Sequence, residues 1–396
     1  MTPAPPAPDR DNAFLPYPAV RIVSAGQGLL VGARLAVKDI FDVAGYPTGA
    51  GNAFVLAASG IKAQSAPIVD LLLDAGANFV GKTYTDELAY SVLGRNLHFG
   101  VSINPTFPDV ITGGSSSGSA VAVAQGLADI GLGSDTSGSI RIPAAMTGSI
   151  GWRPTHGILS LAGCRPLAPS FDTAAFVVRD IDLLDRLMAV SGFAAAPGTG
   201  QSVIVAEELL NACDAAVAEE FLETLVRHGI EPVRGRLLGG ICLANLNEAF
   251  QTILWHEAWL SNAELYERRP DCIDAPIRER LELGKGISLA QVEEARQVQA
   301  EFKSAVVNDI SDRIVCFPTL PVSPPGPAAP AQDYNLFRQR ALALNCVAGL
   351  AGLPQLAVPA GTRSPMGSLS LLSGPLADRG LCHAAKAFLP ALGVRF

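Results

Sequence analysis

The sequence predicts an α/β fold in which a β-sheet is covered by helices on both faces. Hydrophobic residues make up 49% of the 396 residues, and a mean hydropathy of +0.30 indicates many fully buried strands. Helical and strand-like patterns alternate along residues 29–160, as they do in α/β proteins. A helical stretch follows, and strand patterns return near residue 314. We therefore expect one sheet that is interrupted by helices.

The first elements follow from local patterns of apolar residues. Residues 29–43 are apolar around Lys38 and predict a long strand or a pair of strands. Residues 66–75 show helical spacing, and residues 77–80 predict a short buried strand. Residues 84–93 predict a second helix.

Strand and helix signals continue through the rest of the chain. Residues 120–129 predict a buried helix, residues 130–148 a strand that runs into a loop, and residues 151–160 a turn and a strand. Charged residues concentrate between positions 207 and 307, where a helical pattern predicts either a layer on the sheet or a lid. Three further strand patterns lie at 313–322, 353–361 and 367–374.

Charge and cysteine content narrow the class of protein. The net charge of −8 argues against a general phosphate-binding surface, so we expect no nucleic-acid partner. Seven scattered cysteines without a C-x-x-C motif predict reduced thiols in a cytoplasmic protein. Residues 1–20 form a Pro-rich arm without the features of a signal peptide. In the uncharged stretch 341–362, Pro354 and Pro359 predict a helix, a turn and a strand rather than a membrane span.

One motif matches the phosphate-binding P-loop. Residues 76–83, GANFVGKT, fit G-x-x-x-x-G-K-T. A P-loop follows a strand and opens a helix, whereas here a helix precedes the motif. Phe79 and Val80 also stand where such a loop must be small and open. The favoured interpretation is a helix, a glycine turn and a buried strand.

A second motif matches the nucleophile elbow of α/β-hydrolases. Residues 114–118, GSSSG, fit G-x-S-x-G with Ser116 at the centre. The elbow requires a strand immediately before it, but residues 104–113 contain two prolines and little strand pattern. The five histidines also lack a context that indicates a catalytic partner. We keep the elbow as a minor alternative.

The third candidate joins Lys38 to two Gly/Ser-rich segments, 113–120 and 133–144. A lysine inside an apolar run is desolvated, which lowers its pKa and lets the neutral amine act as a base. A serine hydroxyl needs such a base to become a nucleophile at neutral pH. The Gly/Ser loop before Ile140 can direct several N–H groups towards one oxyanion. Each feature alone also has an ordinary explanation, since Gly/Ser-rich segments are usually just loops and Lys38 could simply pair with Asp39 or Asp42.

Together these segments resemble the amidase signature family. The resemblance implies a large mixed β-sheet covered by helices on both faces. It also implies one amidase signature domain over residues 21–396, with a variable helical region at about 185–310. The matching blocks lie at 35–52, 76–91, 104–126, 132–144, 151–160, 312–325 and 344–361.

The family uses a Ser–cis-Ser–Lys triad, and the resemblance implies a role for each matching position. Lys38 corresponds to the base, Ser115 to the bridging serine held by a cis peptide, and Ser139 to the nucleophile. Lys38 would accept a proton from Ser115, which would accept one from Ser139. The expected oxyanion donors are the N–H groups of Thr136, Ser137, Gly138 and Ser139.

This chain departs from the family pattern at Ser137, where the family has glycine. The added side chain narrows the space beside the acyl group but removes no backbone donor. Arg141 could bind a substrate carboxylate, although a structural ion pair is the favoured interpretation. We expect Asp135 to brace the loop, Asp172 to be structural and Ser116 to support the triad by hydrogen bonding.

The resemblance implies a cytoplasmic amidase that forms an acyl-serine intermediate and requires no metal or cofactor. Its blocks are most similar to those of compact hydrolases of the indole-3-acetamide type, which implies a small apolar or aryl amide as substrate. The small amide is the expected partner, with no membrane partner, and a homodimer is compatible with the sequence. Two alternatives stay open: the amidase subunit of a glutamine-dependent amidotransferase complex, and an inactive binding protein of the same fold.

Overall fold

The computed structural model describes residues 9–194, 203–227, 229–310, 313–359 and 364–388. The strands in these ranges are β1 Arg34–Lys38, β2 Asn78–Thr83, β3 Arg95–Asn96, β4 Gly100–Val101, β5 Ile130–Asp135, β6 Ile150–Arg153, β7 Thr173–Val178, β8 Val203–Ala206, β9 Arg234–Gly235, β10 Ile314–Pro318, β11 Gln355–Val358 and β12 Leu369–Leu372. The helices are α1 Ala53–Ser59, α2 Pro67–Asp74, α3 Ser117–Ala124, α4 Arg141–Thr147, α5 Ile181–Val190, α6 Glu207–Asn211, α7 Ala215–Arg227, α8 Leu243–Arg268, α9 Ala275–Lys285, α10 Leu289–Ile310, α11 Ala331–Ala351 and α12 Asp378–Phe388.

Ten strands form one mixed sheet in the order β2-β1-β5-β7-β6-β11-β12-β10-β8-β9. The pairs β2–β1, β1–β5, β10–β8 and β8–β9 are parallel, and the other neighbours are antiparallel. β3 and β4 form a separate antiparallel pair. This arrangement confirms the predicted α/β fold with a large mixed sheet.

Side chains of β1 show how both faces of the sheet are covered. Leu35 and Val37 are fully buried in a core that also contains residues of α2, α5 and α12. Ala36, between them, packs on the opposite face against residues 120–123 of α3. Successive side chains of a strand point to opposite faces, so helices on both sides exclude water from β1.

The predicted helix, turn and strand within residues 341–362 are confirmed over the described residues up to 359. α11 ends at Gly352, whose φ of 68° a side chain would disfavour. Pro354 follows at once, and β11 then enters the sheet. Among the described residues, no helix has the length and apolar character needed to cross a membrane.

The predicted helix at residues 84–93 is wrong. Only a short 3₁₀ turn forms at Glu87–Ala89, and Leu88 has a left-handed φ of 53°. The N–H groups of Leu93 and Gly94 donate to the carboxylate of Asp86 at 3.1 Å instead of to helical carbonyls. A buried carboxylate has therefore replaced the hydrogen bonds on which a local helix would depend.

Three further boundaries differ from expectation. The apolar run at 29–43 contains one five-residue strand, β1, with turns on either side. Part of the predicted loop at 136–148 is helix α4. The expected helical region at about 185–310 also contributes β8 and β9 to the main sheet, because the apolar run Val203–Ala206 pairs with β10.

The described part of the N-terminal arm, residues 9–20, packs along the edge of the sheet. Leu15 donates its N–H to the Lys82 carbonyl at 2.9 Å, and Phe14 forms a β-bridge with Thr83. The first eight residues of the predicted arm lie outside the described residues.

Candidate active site

Lys38 is the last residue of β1, and its side chain is fully buried. Its Nζ donates to Ser115 Oγ at 2.8 Å and to Ser134 Oγ at 3.0 Å. Burial lowers the pKa of Lys38 to about 8. The negative charge of Asp86 acts in the opposite direction and raises the pKa, but burial has the larger effect. On the order of one tenth of Lys38 is therefore the neutral amine at pH 7, the form that a general base requires, and this fraction grows as the pH rises.

Ser134 is a site residue that the sequence analysis missed. It belongs to β5, which runs parallel to β1, so both side chains reach the same point of the sheet. Its position two residues before Thr136 in a Gly/Ser-rich segment was the available signal, but strand pairing was needed to place it beside Lys38.

Ser115 lies in the loop before α3, and its hydroxyl is buried beside Lys38. The Gly114–Ser115 peptide bond is cis, in agreement with the family resemblance. The Ser115 carbonyl accepts the N–H of Asp86 at 3.1 Å. A Cβ on Gly114 would lie 2.5 Å from Asp86 Oδ1, so only glycine fits between the carboxylate and the loop.

Asp86 is the second residue that the sequence analysis missed. It is fully buried, and burial raises its pKa to about 6. The backbone N–H groups that donate hydrogen bonds to its carboxylate lower the pKa and offset part of this rise. Asp86 therefore anchors the Ser115 loop through its backbone and packs against Gly114 through its carboxylate. The sequence analysis missed this role because it predicted that residues 84–93 form a helix.

Ser139 lies between β5 and α4, where the structure joins the two Gly/Ser-rich loops. Its carbonyl accepts the N–H of Ser116 at 3.2 Å. Its hydroxyl makes no hydrogen bond to the residues that the structure describes. The hydrogen bond to Ser115 that the proton relay requires is therefore not formed in this structure. Hydrogen bonds to a catalytic nucleophile often tighten only when substrate binds.

Ser116 is buried, and its hydroxyl donates to the Ser134 carbonyl at 3.3 Å. Within the described chain, residues 104–115 contain no strand, so the arrangement required by a nucleophile elbow is not formed. The contact instead ties the Ser115 loop to β5, and support of the triad by Ser116 stays a prediction.

The loop between β5 and α4 is the candidate oxyanion site. The N–H of Gly138 donates to Asp135 Oδ1 at 2.9 Å, so this expected donor is already engaged. The N–H groups of Thr136, Ser137 and Ser139 make no hydrogen bonds to other described residues. These three remain as candidates for stabilising an oxyanion.

The carboxylate of Asp135 holds this loop in place by accepting backbone N–H groups from it. Its fully buried carboxylate accepts from Arg141 at 2.7 Å and lies 3.1 Å from a terminal nitrogen of Arg153. Burial alone would raise the pKa of Asp135, but the two guanidinium groups hold it well below its ordinary value. Asp172 adds a second brace by accepting the Thr136 hydroxyl at 2.6 Å.

Arg141 is also fully buried, and the structure shows only structural partners for it. Its remaining N–H groups donate to Asn345 and to Gln355 Oε1, at 2.7 Å in the latter case. Its guanidinium is therefore shared between the oxyanion loop and the neighbouring elements α11 and β11. This geometry agrees with a structural ion pair and provides no access for a substrate carboxylate.

Replacing Asp135 with asparagine should lower the free energy of unfolding by about 3–5 kcal/mol, because two buried guanidinium groups lose their counter-charge. Urea denaturation followed by circular dichroism measures the change. The matched control is Asp129→Asn, which breaks a partly exposed pair with Arg34 and should cost less than about 1 kcal/mol. Equal losses in the two variants would contradict the bracing role of Asp135.

The P-loop interpretation is not supported by the structure. Its lysine, Lys82, lies inside β2 and is almost fully buried. The ammonium lies 3.0 Å from Asp39 Oδ1 and donates to the Phe41 carbonyl at 2.6 Å. A lysine that is held in this way inside a strand cannot reach a phosphate.

A narrow pocket adjoins the oxyanion loop through Ser137, so the residue that departs from the family pattern forms part of its wall. A wider groove lined by Asp42, Phe54 and Arg268 contains none of the candidate triad residues. In the described ranges, no three His, Cys, Asp or Glu side chains are grouped as ligands for a metal ion. The other residues of the narrow pocket are Ala89, Tyr90, Ser91, Val92, Leu167, Leu254, Trp255, Arg280, Arg338 and Leu342.

Comparison with known proteins identifies the class of protein. Residues 19–200 match the family model described as Amidase. Amidase 1 of Oryza sativa subsp. japonica is 32% identical, with 92% of this chain and 91% of that protein aligned. A glutamyl-tRNA(Gln) amidotransferase subunit of Haloarcula marismortui is 30% identical, with 92% and 97% aligned. A crystal structure of an amidase superposes with a TM-score of 0.79 at 28% identity, covering 92% of this chain and 85% of that one.

These similarities define an amide-hydrolysing enzyme. The chain belongs to the amidase signature family.

Proposed function

We propose that this enzyme hydrolyses the C–N bond of a small carboxamide through an acyl intermediate on Ser139, yielding a carboxylic acid and ammonia or an amine. The observation that carries the proposal is the 2.8 Å contact between the buried Lys38 amine and the Ser115 hydroxyl. The N–H of Ser116, the residue after Ser115, donates to the Ser139 carbonyl and joins the Ser115 segment to the loop that holds Ser139. In the proposed mechanism Lys38 is the base, Ser115 the relay and Ser139 the nucleophile.

In the first half of the reaction, neutral Lys38 accepts a proton from Ser115, which accepts the proton of Ser139. Ser139 Oγ forms a bond to the carbonyl carbon, and the carbonyl oxygen becomes negatively charged. The N–H groups of Thr136, Ser137 and Ser139 support this oxyanion, and losing one such donor typically costs about 10²–10³ in rate. The C–N bond then breaks as the relay returns the proton to the leaving nitrogen.

In the second half, water takes the position of the leaving amine. The same relay accepts a proton from this water as its oxygen attacks the acyl carbon of the ester. The bond between Ser139 Oγ and that carbon breaks, and the serine recovers its proton. The carboxylic acid leaves, and Lys38, Ser115 and Ser139 return to their starting state.

The pocket beside Ser137 is narrow and must widen to admit a substrate, which favours a small one. Leu167 and Leu254 provide apolar walls, which suit a short hydrocarbon segment of the acyl group. The indole-3-acetamide subtype rests on the sequence resemblance alone. The small amide is the partner that this proposal requires.

A fluorophosphonate serine probe tests the proposal directly. We expect one covalent adduct in the intact mass, mapped to Ser139 by peptide analysis, because only an activated serine reacts readily. The same preparation should release ammonia from a panel of small primary amides. An adduct on Ser116, or no adduct and no ammonia release, would contradict the proposed mechanism.

A second candidate function is that of the amidase subunit in a glutamine-dependent amidotransferase. It is favoured by the similarity to the Haloarcula marismortui protein, which aligns over 97% of its length. The two candidates differ in whether the chain works alone. Ammonia release from small amides by the purified chain supports the independent amidase, whereas activity that requires additional subunits supports the alternative.

A further inference from the structure

Three polar atoms without hydrogen-bond partners belong to side chains that line the narrow pocket. They are Tyr90 Oη, Arg280 Nε and Arg338 Nε, all buried and unpartnered among the described residues. Tyr90 is 5% exposed and Arg280 is 8% exposed. Buried polar groups in proteins are nearly always hydrogen-bonded, and three unsatisfied donors in one pocket indicate a ligand that accepts hydrogen bonds.

The charge of the pocket indicates that this ligand is an anion. Within the described ranges, neither Arg280 nor Arg338 forms an ion pair with a carboxylate. Arg280 donates to the Tyr90 carbonyl at 2.6 Å and stacks over the Tyr90 ring at 5.0 Å. Burial and the neighbouring Arg338 lower the pKa of Arg280 to about 10, so Arg280 stays charged at neutral pH, as arginine side chains in proteins generally do. Arg280 is buried and Arg338 is half-buried. The charges of Asp274 and Asp86 offset the repulsion between the two arginines only in part, because neither carboxylate forms an ion pair with Arg280 in the described ranges. An anion bound between the two arginines would supply the missing counter-charge.

The two arginines are brought to this pocket from distant parts of the chain. Arg280 belongs to α9 and Arg338 to α11, whereas Tyr90 follows the short 3₁₀ turn at Glu87–Ala89. Ser137, which also lines the pocket, is two residues before Ser139. An anion bound by the arginines would therefore belong to the same molecule whose carbonyl lies at the oxyanion loop.

We propose that the substrate is a monoamide of a short dicarboxylic acid, with its free carboxylate bound by Arg280 and Arg338 and its amide carbonyl at the oxyanion loop. A carboxylate matches the planar fork of guanidinium donors, and the Tyr90 hydroxyl can supply a further donor. The apolar side chains of Leu167 and Leu254 would contact the intervening carbon chain. This inference rests on the proposed function and replaces the expected apolar or aryl acyl group with an anionic one.

Succinamate and 4-methylpentanamide form a matched pair of test substrates, because an isopropyl group replaces the carboxylate at nearly the same size. We expect kcat/KM for succinamate to be at least about 100-fold higher, since a site built around a polar group strongly rejects an analogue that lacks it. Glutaramate and its neutral counterpart extend the comparison by one carbon. Succinate, the product, should also protect the active-site serine from the fluorophosphonate probe.

Arg338→Gln should reduce the preference for succinamate by at least about tenfold, mainly by raising KM for succinamate, while KM for the neutral amide changes much less. Arg340→Gln is the matched control, because Arg340 lies on the same helix but bonds to Asp214 and the Ala212 carbonyl. Arg338→Lys keeps the charge and should restore part of the preference. Succinate protection that persists in Arg338→Gln would argue against carboxylate binding by this residue.

The outcomes separate this inference from the proposed function. Neutral amides that are hydrolysed as well as the carboxylate-bearing ones would overturn the anionic substrate class and leave the amidase mechanism intact. An equal loss of both activities in Arg338→Gln would overturn the inference in favour of a structural arginine. If no amide releases ammonia and the probe labels no serine, the proposed function fails and the inference fails with it.

Discussion

Replacing Ser139 with alanine should lower kcat/KM for amide hydrolysis by at least about 10⁴-fold, because the variant lacks the hydroxyl that we propose forms the acyl intermediate. The fold should persist, since the Ser139 hydroxyl makes no hydrogen bond within the described chain and its backbone contact with Ser116 does not depend on the side chain. Ammonia release at substrate concentrations below KM measures the loss. Thermal unfolding shows that the variant is folded.

Ser116→Ala is the matched control for this experiment. Ser116 lies one residue from Ser115 and belongs to the same buried loop, but its hydroxyl contacts only the Ser134 carbonyl at 3.3 Å. We expect appreciable turnover and a normal probe adduct on Ser139. If Ser116→Ala lost activity and adduct while Ser139→Ala kept both, the elbow interpretation would return and the proposed triad would be wrong.

The pH dependence of kcat/KM should report the protonation state of Lys38. Burial lowers its pKa from the ordinary value to about 8, and only the neutral amine can accept a proton from Ser115. We therefore expect kcat/KM to rise with pH and to level off above about pH 8, because this parameter follows groups of the free enzyme. A profile that is flat from pH 6 to 10 would contradict Lys38 as the base.

Lys38→Met should lower kcat/KM by about 10²–10⁴-fold and abolish this limb of the profile, as removal of a general base does. The fold should survive, because an apolar side chain of similar length replaces a buried amine whose charged form is poorly solvated. Lys62→Met is the control, since Lys62 is a partly exposed lysine that lies 3.6 Å from Asp42. Retention of the pH limb in Lys38→Met would assign it to another group, such as Asp86.

The sequence predicted the candidate triad through the resemblance of contiguous segments to the amidase signature family, because each feature alone also has an ordinary explanation. Two features can be recognised without knowledge of the fold: the position of Lys38 in an apolar run, and the two Gly/Ser-rich segments. Structure then places Lys38 Nζ at 2.8 Å from Ser115 Oγ. The wrong helix at residues 84–93 has the opposite origin, since the Asp86 carboxylate there accepts backbone N–H groups that a local pattern assigns to a helix.

Sequence patterns alone were enough for the fold class, the family and the residue types available for amide chemistry, because these depend on periodicity and contiguous motifs. Contacts between distant segments set how those residues are used. Pairing of β1 with β5 places Ser134 on Lys38, and Asp135 engages the Gly138 N–H that an oxyanion would otherwise receive. The unpaired arginines of α9 and α11 are 58 positions apart and converge only through helix packing, so no local pattern could have shown the charge of the pocket.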